Sequence, residues 1–354
     1  MNLFDHEMYL EDLTYTAGLP LPWEQLAGKT VLISGATGLI GSFLTDCLML
    51  LNERRELGCQ IWALSRNADR ARQRFSRWQG RPELHLPAQD VNQPLDLKMD
   101  RADYVLHLAS NTHPVQYATD PIGTITTNLI GLKNMLDFAV SRGAVRFLFA
   151  SSNEIYGENR GDTELFEEKY SGYIDCNTLR AGYPESKRCG EALCQAYRSQ
   201  KGLEVVIPRL TRSYGATMLM TDTKAISQFL RRGIAGEEIV LKSRGEQYYS
   251  YTYAGDAVSG LLYVLLKGEG GEAYNIADEA SDITLRDLAE MIARESGTRV
   301  VFDLPDAIEA AGYSRATKAR LDGRKLRGLG WTPRHDIHTG ISRTIRMLKE
   351  IQGQ

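Results

Sequence analysis

The chain has 354 residues, 42 Lys and Arg against 45 Asp and Glu, a formal net charge of −3 and 43% apolar content. That length can bury a large core as one α/β unit or two coupled domains, and the balanced charge leaves no basic stripe of the kind nucleic acid selects. The five cysteines show neither CxxC nor Cys/His ligand spacing, which argues against a bound metal or a disulfide framework and for reduced thiols in a cytoplasmic protein. No apolar run reaches the ~18 residues of a membrane span, and the opening Met1-Asn-Leu-Phe-Asp-His-Glu7 has no signal-peptide pattern.

In chain order, residues 1–28 read as an appendage. Leu3, Phe4, Met8, Tyr9, Leu10 and Leu13 are mixed with acids, as in an amphipathic helix packed on the body, and Leu19-Pro-Leu-Pro22 stops it before Trp23. Val31, Leu32 and Ile33 then form a buried parallel strand, followed by Gly35-Ala-Thr37-Gly38-Leu39-Ile40-Gly41 and a helix from Phe43. Three glycines between strand and helix allow unusual backbone angles and close approach of a diphosphate, which meets the N–H groups at the helix start. The turn is a dinucleotide site in the context that motif requires.

A second strand, Gln60–Leu64, ends on Ser65-Arg66-Asn67, where an NAD enzyme of this architecture places an acid for the ribose hydroxyls. NADP is therefore favoured over NAD, with Arg66 stacking on the adenine as the alternative. The third strand, 84–91, ends on Asp90-Val91, with Asp90 a partner for the adenine edge. The fourth, 103–110, ends on Ala109-Ser110, and the helix after it carries Asn128. The fifth, 145–150, runs directly into Ser151-Ser152-Asn153-Glu154. This alternation predicts a doubly wound parallel sheet, a Rossmann-type α/β fold with its ligands at the carboxyl ends of the strands.

Tyr183 and Lys187 open the next helix and share one face, one turn apart. An ammonium beside the phenol is expected to lower its pKa and make it a proton carrier near neutral pH. The strand 203–210 closes this dinucleotide-binding part, residues 29–214, and the chain returns to it at about 251–277. Residues 215–250 and 278–354 make an interleaved substrate lobe. In it, 239–253 reads as a hairpin turning at Arg244-Gly245, and 281–345 as a small helical unit. Tyr248, Tyr249, Tyr251 and Tyr253 form a stripe that fits either strand packing or stacking on a base or sugar.

In combination these motifs resemble the extended short-chain dehydrogenase/reductases, particularly the nucleotide-sugar group that includes UDP-glucuronate decarboxylases and dTDP-glucose 4,6-dehydratases. The resemblance rests on Gly35-Ala-Thr-Gly38-Leu-Ile-Gly41, Asp90-Val91, His107-Leu-Ala-Ser110, Ser152-Asn-Glu-Ile-Tyr-Gly157, Tyr183-Pro-Glu-Ser-Lys187, Pro208-Arg-Leu-Thr-Arg-Ser-Tyr-Gly215, Tyr253-Ala-Gly-Asp256 and Leu329-Gly-Trp331-Thr-Pro333, and spans about residues 29–345. It implies an NAD(P)-dependent enzyme of the epimerase/dehydratase type, acting on a nucleotide-activated sugar through a keto intermediate. Tyr183 would move the hydroxyl proton, Ser152 would hydrogen-bond the same oxygen, Glu154 would act near the sugar, and Lys187 would hold the nicotinamide ribose. It also implies a homodimer joined through a helix bundle that includes the Tyr183–Tyr197 helix.

Three departures from the group's pattern stand out. Asn153 replaces the aspartic acid that protonates the leaving hydroxyl in the 4,6-dehydratases, and an amide cannot do this. Tyr249 stands where an arginine is usual, and Arg212 where asparagine is, so Arg180, Arg212 or Arg315 would take the phosphates. A net reductase of a nucleotide-linked keto-sugar or keto-polyol is the second reading. A non-catalytic dinucleotide sensor or scaffold is the third, disfavoured because Ser152, Tyr183 and Lys187 are all in place.

Overall fold

Successive residues of the first strand belong to two different cores. In β1 (Thr30–Ser34), Val31 and Ile33 pack into one hydrophobic layer and Leu32 into the other, all three without solvent exposure. The period-two alternation of a strand allows both faces to be covered. The same split recurs in β5 (Arg146–Phe149), where Leu148 faces the first layer and Phe147 and Phe149 the second. Each such side chain contributes roughly 1.5–3 kcal/mol by leaving water. The computed structural model describes residues 2–112, 114–303 and 317–353, so Arg315 lies outside the described residues.

The main sheet is parallel in every pairing. Its order is β11-β7-β5-β4-β1-β2-β3, with β2 at Gln60–Leu64, β3 at Leu84–His85, β4 at Tyr104–His107, β7 at Val205–Leu210 and β11 at Ala273–Ile276; β6 (Ser151–Ser152) also pairs with β7. From β1 the chain winds one way through β2 and β3, then returns across β1 to β4. This reversal leaves the crevice in which doubly wound folds hold ligands, beyond the carboxyl ends Ser34 and His107.

One layer holds α1 (Glu7–Ala17), α2 (Leu39–Arg55) and α9 (Ala254–Lys267). The other holds α6 (Leu132–Ser141) and α7 (Gly182–Lys201). Between them in sequence come α3 (Ala68–Arg74), α4 (Pro114–Thr119), α5 (Pro121–Thr126) and α8 (Ala225–Ile234). The N-terminal helix is tied down by buried acids. Asp46 accepts from the Tyr9 hydroxyl at 2.6 Å, Arg74 at 2.6 Å and the Trp78 indole at 2.8 Å. Asp12 accepts from the Tyr253 hydroxyl at 2.6 Å, Arg343 at 2.9 Å and the His335 ring at 3.1 Å. No helix among the described residues is long and apolar enough to cross a membrane, and all five cysteines are free.

Three sequence expectations change. The third strand shrinks to Leu84–His85, joined further on only by a bridge between Ser65 and Ala88; Pro87, lacking an N–H, can only accept from Ser65. The 239–253 hairpin does not form. Gly245 turns with φ +74 under the start of α10 (Leu285–Ser296), where a Cβ would lie 2.8 Å from the Arg286 backbone. The strands on either side enter different sheets. β9 (Ile239–Leu241) pairs in parallel with β13 (Val300–Phe302), while β10 (Tyr248–Tyr253) pairs with β8 (Arg212–Tyr214), β12 (Asp282–Thr284) and β14 (Lys318–Ala319). The third change concerns 281–345, which contains these strands and so is mixed, not helical; it ends in α11 (Arg324–Arg327) and the start of α12 (Ile337–Gln352).

Candidate active site

The glycine turn supplies one end of a cleft of about 690 Å³. Gly35 has φ +70, and a Cβ there would lie 2.8 Å from the Ala109 backbone; at Gly41 it would lie 2.3 Å from the Gly35 carbonyl. The turn therefore closes tightly only with glycine. Gly38 caps α2 without any side-chain hydrogen bond, which leaves the N–H groups of the first turn open to a phosphate. Thr37, Leu39 and Ile40 line the same end, as do Asp90, Val91, Ala109 and Ser110. A dinucleotide fits this donor set.

Ser65, Arg66 and Arg70 border the ribose end. The Ser65 hydroxyl donates to the Asn67 carbonyl and accepts from the Asn67 N–H, both at 3.2 Å. Its proton is thus spent locally, which leaves Arg66 and Arg70 as the cations facing that end.

Midway along the cleft the chain converges on Tyr183. Pro184 in the first turn of α7 needs no N–H partner there, which sets the helix start beside Tyr183. The residue is 6% exposed, and the Ser152 and Ser110 hydroxyls lie near enough to the phenol to favour its charged form. Its ring stacks on Tyr117 of α4 at 4.8 Å with 26° between the planes. A π-helical turn, Thr127–Gly131, holds the fully buried Asn128, as such turns often do near functional groups. The Ser110 hydroxyl donates to Asn128 at 2.7 Å, Asn128 donates to Ser186 at 2.8 Å, and Ser186 donates to the Tyr183 carbonyl at 2.8 Å.

The charge on Tyr183 is not what the Tyr/Lys spacing suggests. Burial pushes the phenol up to about 12, with Glu154 adding to the push and Ser152, Arg180 and Ser110 pulling it back. Lys187 does not offset this. Its ammonium donates to the Ala150 carbonyl at 2.8 Å and lies 6.0 Å from the Tyr183 ring centroid, and burial draws it down to about 8. The expectation of a depressed phenol fails because desolvation outweighs a cation at this distance.

Glu154 follows Ser152 in a single turn, Asn153–Tyr156, whose first N–H groups are capped by the Ser152 oxygen. Arg180 Nη2 reaches both Glu154 oxygens, at 2.7 and 2.5 Å, and the guanidinium lies 4.8 Å from the Tyr117 ring centroid. Arg212 lies flat on Tyr249 at 3.5 Å. Arg180 Nε and Nη1 and Arg212 Nη1 are buried without a hydrogen-bond partner. Asn153 and these three charged groups line both the cleft and a smaller cavity of about 80 Å³ behind it.

Apart from Arg315, outside the described residues, the residues singled out for cofactor, catalysis and substrate, from Gly35 to Tyr249, border a single cleft. Of the tyrosine stripe, Tyr249, Tyr251 and Tyr253 are buried in the core; Tyr249, with Arg212 over its ring, and Tyr251 also border the cleft. Sequence reasoning missed Tyr117 and Arg70. Arg70 is four residues past Arg66 and could have been found from helical spacing; Tyr117 carried no signal. Among the described residues no group of His, Cys, Asp and Glu is disposed to hold a metal.

Comparison with known proteins follows the same lines. Residues 31–277 match the model of the NAD dependent epimerase/dehydratase family. The chain is 31% identical over 329 residues to UDP-glucuronic acid decarboxylase 1 of Xenopus tropicalis, covering 92% of this chain and 74% of that one. To UDP-glucuronic acid decarboxylase 3 of Arabidopsis thaliana it is 32% identical over 315 residues, covering 88% and 86%. In fold it is similar to an NAD-bound dTDP-glucose 4,6-dehydratase of Streptomyces venezuelae, with a TM-score of 0.79, 24% identity and coverage of 92% and 98%. A Bacillus cereus UDP-glucuronic acid 4-epimerase solved with UDP-glucuronic acid and NAD gives a TM-score of 0.77 at 18% identity, covering 91% and 99%.

Proposed function

Because the chain belongs to the NAD dependent epimerase/dehydratase family, we propose that it oxidises a nucleotide-linked uronic acid to a keto-sugar, removes its carboxyl group and reduces the product. The observation that carries this reading is the meeting of Ser152, Tyr183 and Glu154 with two incompletely bonded arginines in one cleft. Relatives named as UDP-glucuronic acid decarboxylases support the substrate class. Asn153 counts against dehydration, since its amide has no proton for a leaving hydroxyl.

Bound in the glycine turn, the nicotinamide dinucleotide supplies the acceptor, and later the donor, of one hydride, and in its oxidised form a positive charge that favours a phenolate. Tyr183, in its phenolate form, which burial disfavours in the cofactor-free protein, takes the hydroxyl proton while Ser152 holds the same oxygen. The ketone so formed lets the neighbouring carbon lose its carboxylate as CO2, the bonding pair passing into the enolate. That carbon takes a proton in its place, with Glu154 as the group that delivers it from solvent. Tyr183 then returns its proton to the ketone oxygen as the alcohol reforms. Lys187, anchored on Ala150, holds the ribose on the Tyr183 side. The cofactor part is 29–214 with 251–277, and the substrate part is 215–250 with the described residues of 278–354, of which residues within 219–249 and Leu285 contribute to the cleft. Exposed Ile122, Ile125, Ile130 and Leu179, on elements next to α7, suit a homodimer formed through that helix.

The test is incubation with cofactor and a panel of nucleotide sugars, followed by mass spectrometry and absorbance. A uronate that loses CO2 with no net change in cofactor is the expected result. Stoichiometric cofactor reduction without loss of CO2 would mean a simple dehydrogenase and overturn it.

A further inference from the structure

The guanidinium of Arg180 is held in an uneconomical way. An arginine offers a carboxylate two bidentate edges, one from Nε and Nη2 and one from Nη1 and Nη2. Nη2 belongs to both. Glu154 takes Nη2 with both its oxygens and so blocks each edge, while Nε and Nη1 stay buried without an acceptor. Leaving such donors unmatched carries their full desolvation penalty. The Tyr117 ring packs against the guanidinium at 4.8 Å, so Arg180 is fixed in place and its partner is the exchangeable element.

We propose that Arg180 is a specificity-determining residue working by exchange. The acid group of the substrate sugar takes a bidentate edge of Arg180, displaces Glu154, and thereby releases Glu154 for its work on the sugar only when an acidic sugar is in place. This rests on the reading of the cleft as a nucleotide-sugar site. Two observations support the exchange. Glu154 borders both the cleft and the 80 Å³ cavity, so the displaced carboxylate has room to turn, into the cleft rather than toward Glu158 and Asp175, which line the smaller cavity. Arg212 also brings a buried unpartnered nitrogen to the two cavities that Glu154 and Arg180 border, so a second cation is at hand while the carboxylates trade places. Swapping one carboxylate for another on the same guanidinium is nearly balanced in charge, and the gain comes from filling the idle edge. A neutral sugar offers only hydroxyl oxygens, which cannot compete with an ion pair, and leaves Glu154 latched.

The test uses the cofactor-loaded protein and calorimetric titration with UDP-glucuronic acid and UDP-glucose. Glu154→Gln removes the charge that competes for Arg180. It should therefore bind UDP-glucuronic acid at least tenfold tighter than the wild type and UDP-glucose within about twofold, while losing turnover. Arg180→Lys, which keeps a charge but has no planar fork, should erase the preference for the acidic sugar. If Glu154→Gln binds both sugars more weakly to the same degree, Glu154 simply holds sugar hydroxyls and the exchange is wrong, though the nucleotide-sugar reading stands. If the wild type binds cofactor but neither sugar nucleotide, the reading of the cleft itself fails.

Discussion

Buried charge is treated differently in two regions of this molecule. Around the N-terminal helix the acids are the centres, and both oxygens of Asp12 and of Asp46 are filled by hydroxyl, indole, imidazole or guanidinium donors. Three nitrogens there, His6 Nε2 (3.0 Å from Glu350), His335 Nδ1 and Arg343 Nε, make no hydrogen bond, but none borders the cleft. In the cleft the arginines are the centres, and three of their buried nitrogens have no acceptor, on residues that border the cavities. A saturated cluster holds chain to chain; an unsaturated one beside a cavity is a site whose last partner is a ligand. The same residue types therefore serve cohesion in one place and recognition in the other.

Removing single groups from each region separates the two roles. The largest effect belongs to Tyr183, whose hydroxyl faces the cleft. Tyr183→Phe keeps the stack on Tyr117 and should fold with unchanged thermal stability while turnover falls by ~10²–10⁴-fold, the usual loss for a positioned proton carrier. Near-normal rates would remove Tyr183 from the chemistry. On the other side, Asp46→Ala leaves Arg74, Tyr9 and Trp78 without their shared acceptor. It should cost about 3 kcal/mol or more in stability, seen in denaturant unfolding, with turnover at a permissive temperature within about twofold. Arg212→Met reverses that pattern: stability within roughly 1 kcal/mol, but at least tenfold weaker binding of the sugar nucleotide. Equal behaviour of Asp46→Ala and Arg212→Met would dissolve the distinction.

Much of this was legible from local signals. The glycine turn, the strand-helix rhythm and the Tyr183/Lys187 pair are each encoded within a few residues, and they point to a doubly wound parallel sheet with its cleft at the strand ends. What the sequence hid depends on contacts far apart in the chain. Tyr117 meets Tyr183 and Arg180 across more than sixty positions, and Asp12 meets Tyr253, His335 and Arg343 across still more. The strand 239–253 misled because its turn residues at Arg244-Gly245 suit a hairpin, whereas the partner strands 282–284, 300–302 and 318–319 are short and carry little period-two signal. The charge state of Tyr183 was misjudged because spacing along a helix says nothing of desolvation.

Lys187 gives a test of burial through pH. Its ordinary value near 10.5 is drawn down to about 8 in the fold by burial. A base with a lowered folded pKa weakens the fold where it must be charged, so the penalty is full below about pH 8 and disappears as pH rises toward 10.5. The stability of the wild type relative to Lys187→Met should therefore shift in favour of the wild type between pH 7 and pH 10, in chemical unfolding of the cofactor-free protein. A difference that stays flat over this range would mean that Lys187 is better solvated than its 3% exposure indicates.

The smallest effect expected is at the ribose end of the cofactor. An acid after β2 would bind both ribose hydroxyls and repel a 2′-phosphate. Here the first acid after the strand is Asp69, and it is spent on Arg72 at 2.5 Å on the exposed side of α3. Ser65 is occupied by Asn67, so discrimination falls to Arg66 and Arg70, both exposed and both bordering the cleft. One charge-assisted hydrogen bond to the phosphate is worth ~1.5–3 kcal/mol, discounted by solvent screening at exposed arginines. A preference for NADP over NAD of about tenfold follows, since ~1.4 kcal/mol is a factor of ten. The preference should shrink in high salt, fall in Arg66→Ala and vanish in the Arg66→Ala/Arg70→Ala double variant, while NAD binding changes little. Calorimetric titration with each cofactor decides it. If NAD binds as tightly as NADP or tighter, and Arg66→Ala leaves that order unchanged, the guanidinium is stacking on the adenine and reads no phosphate.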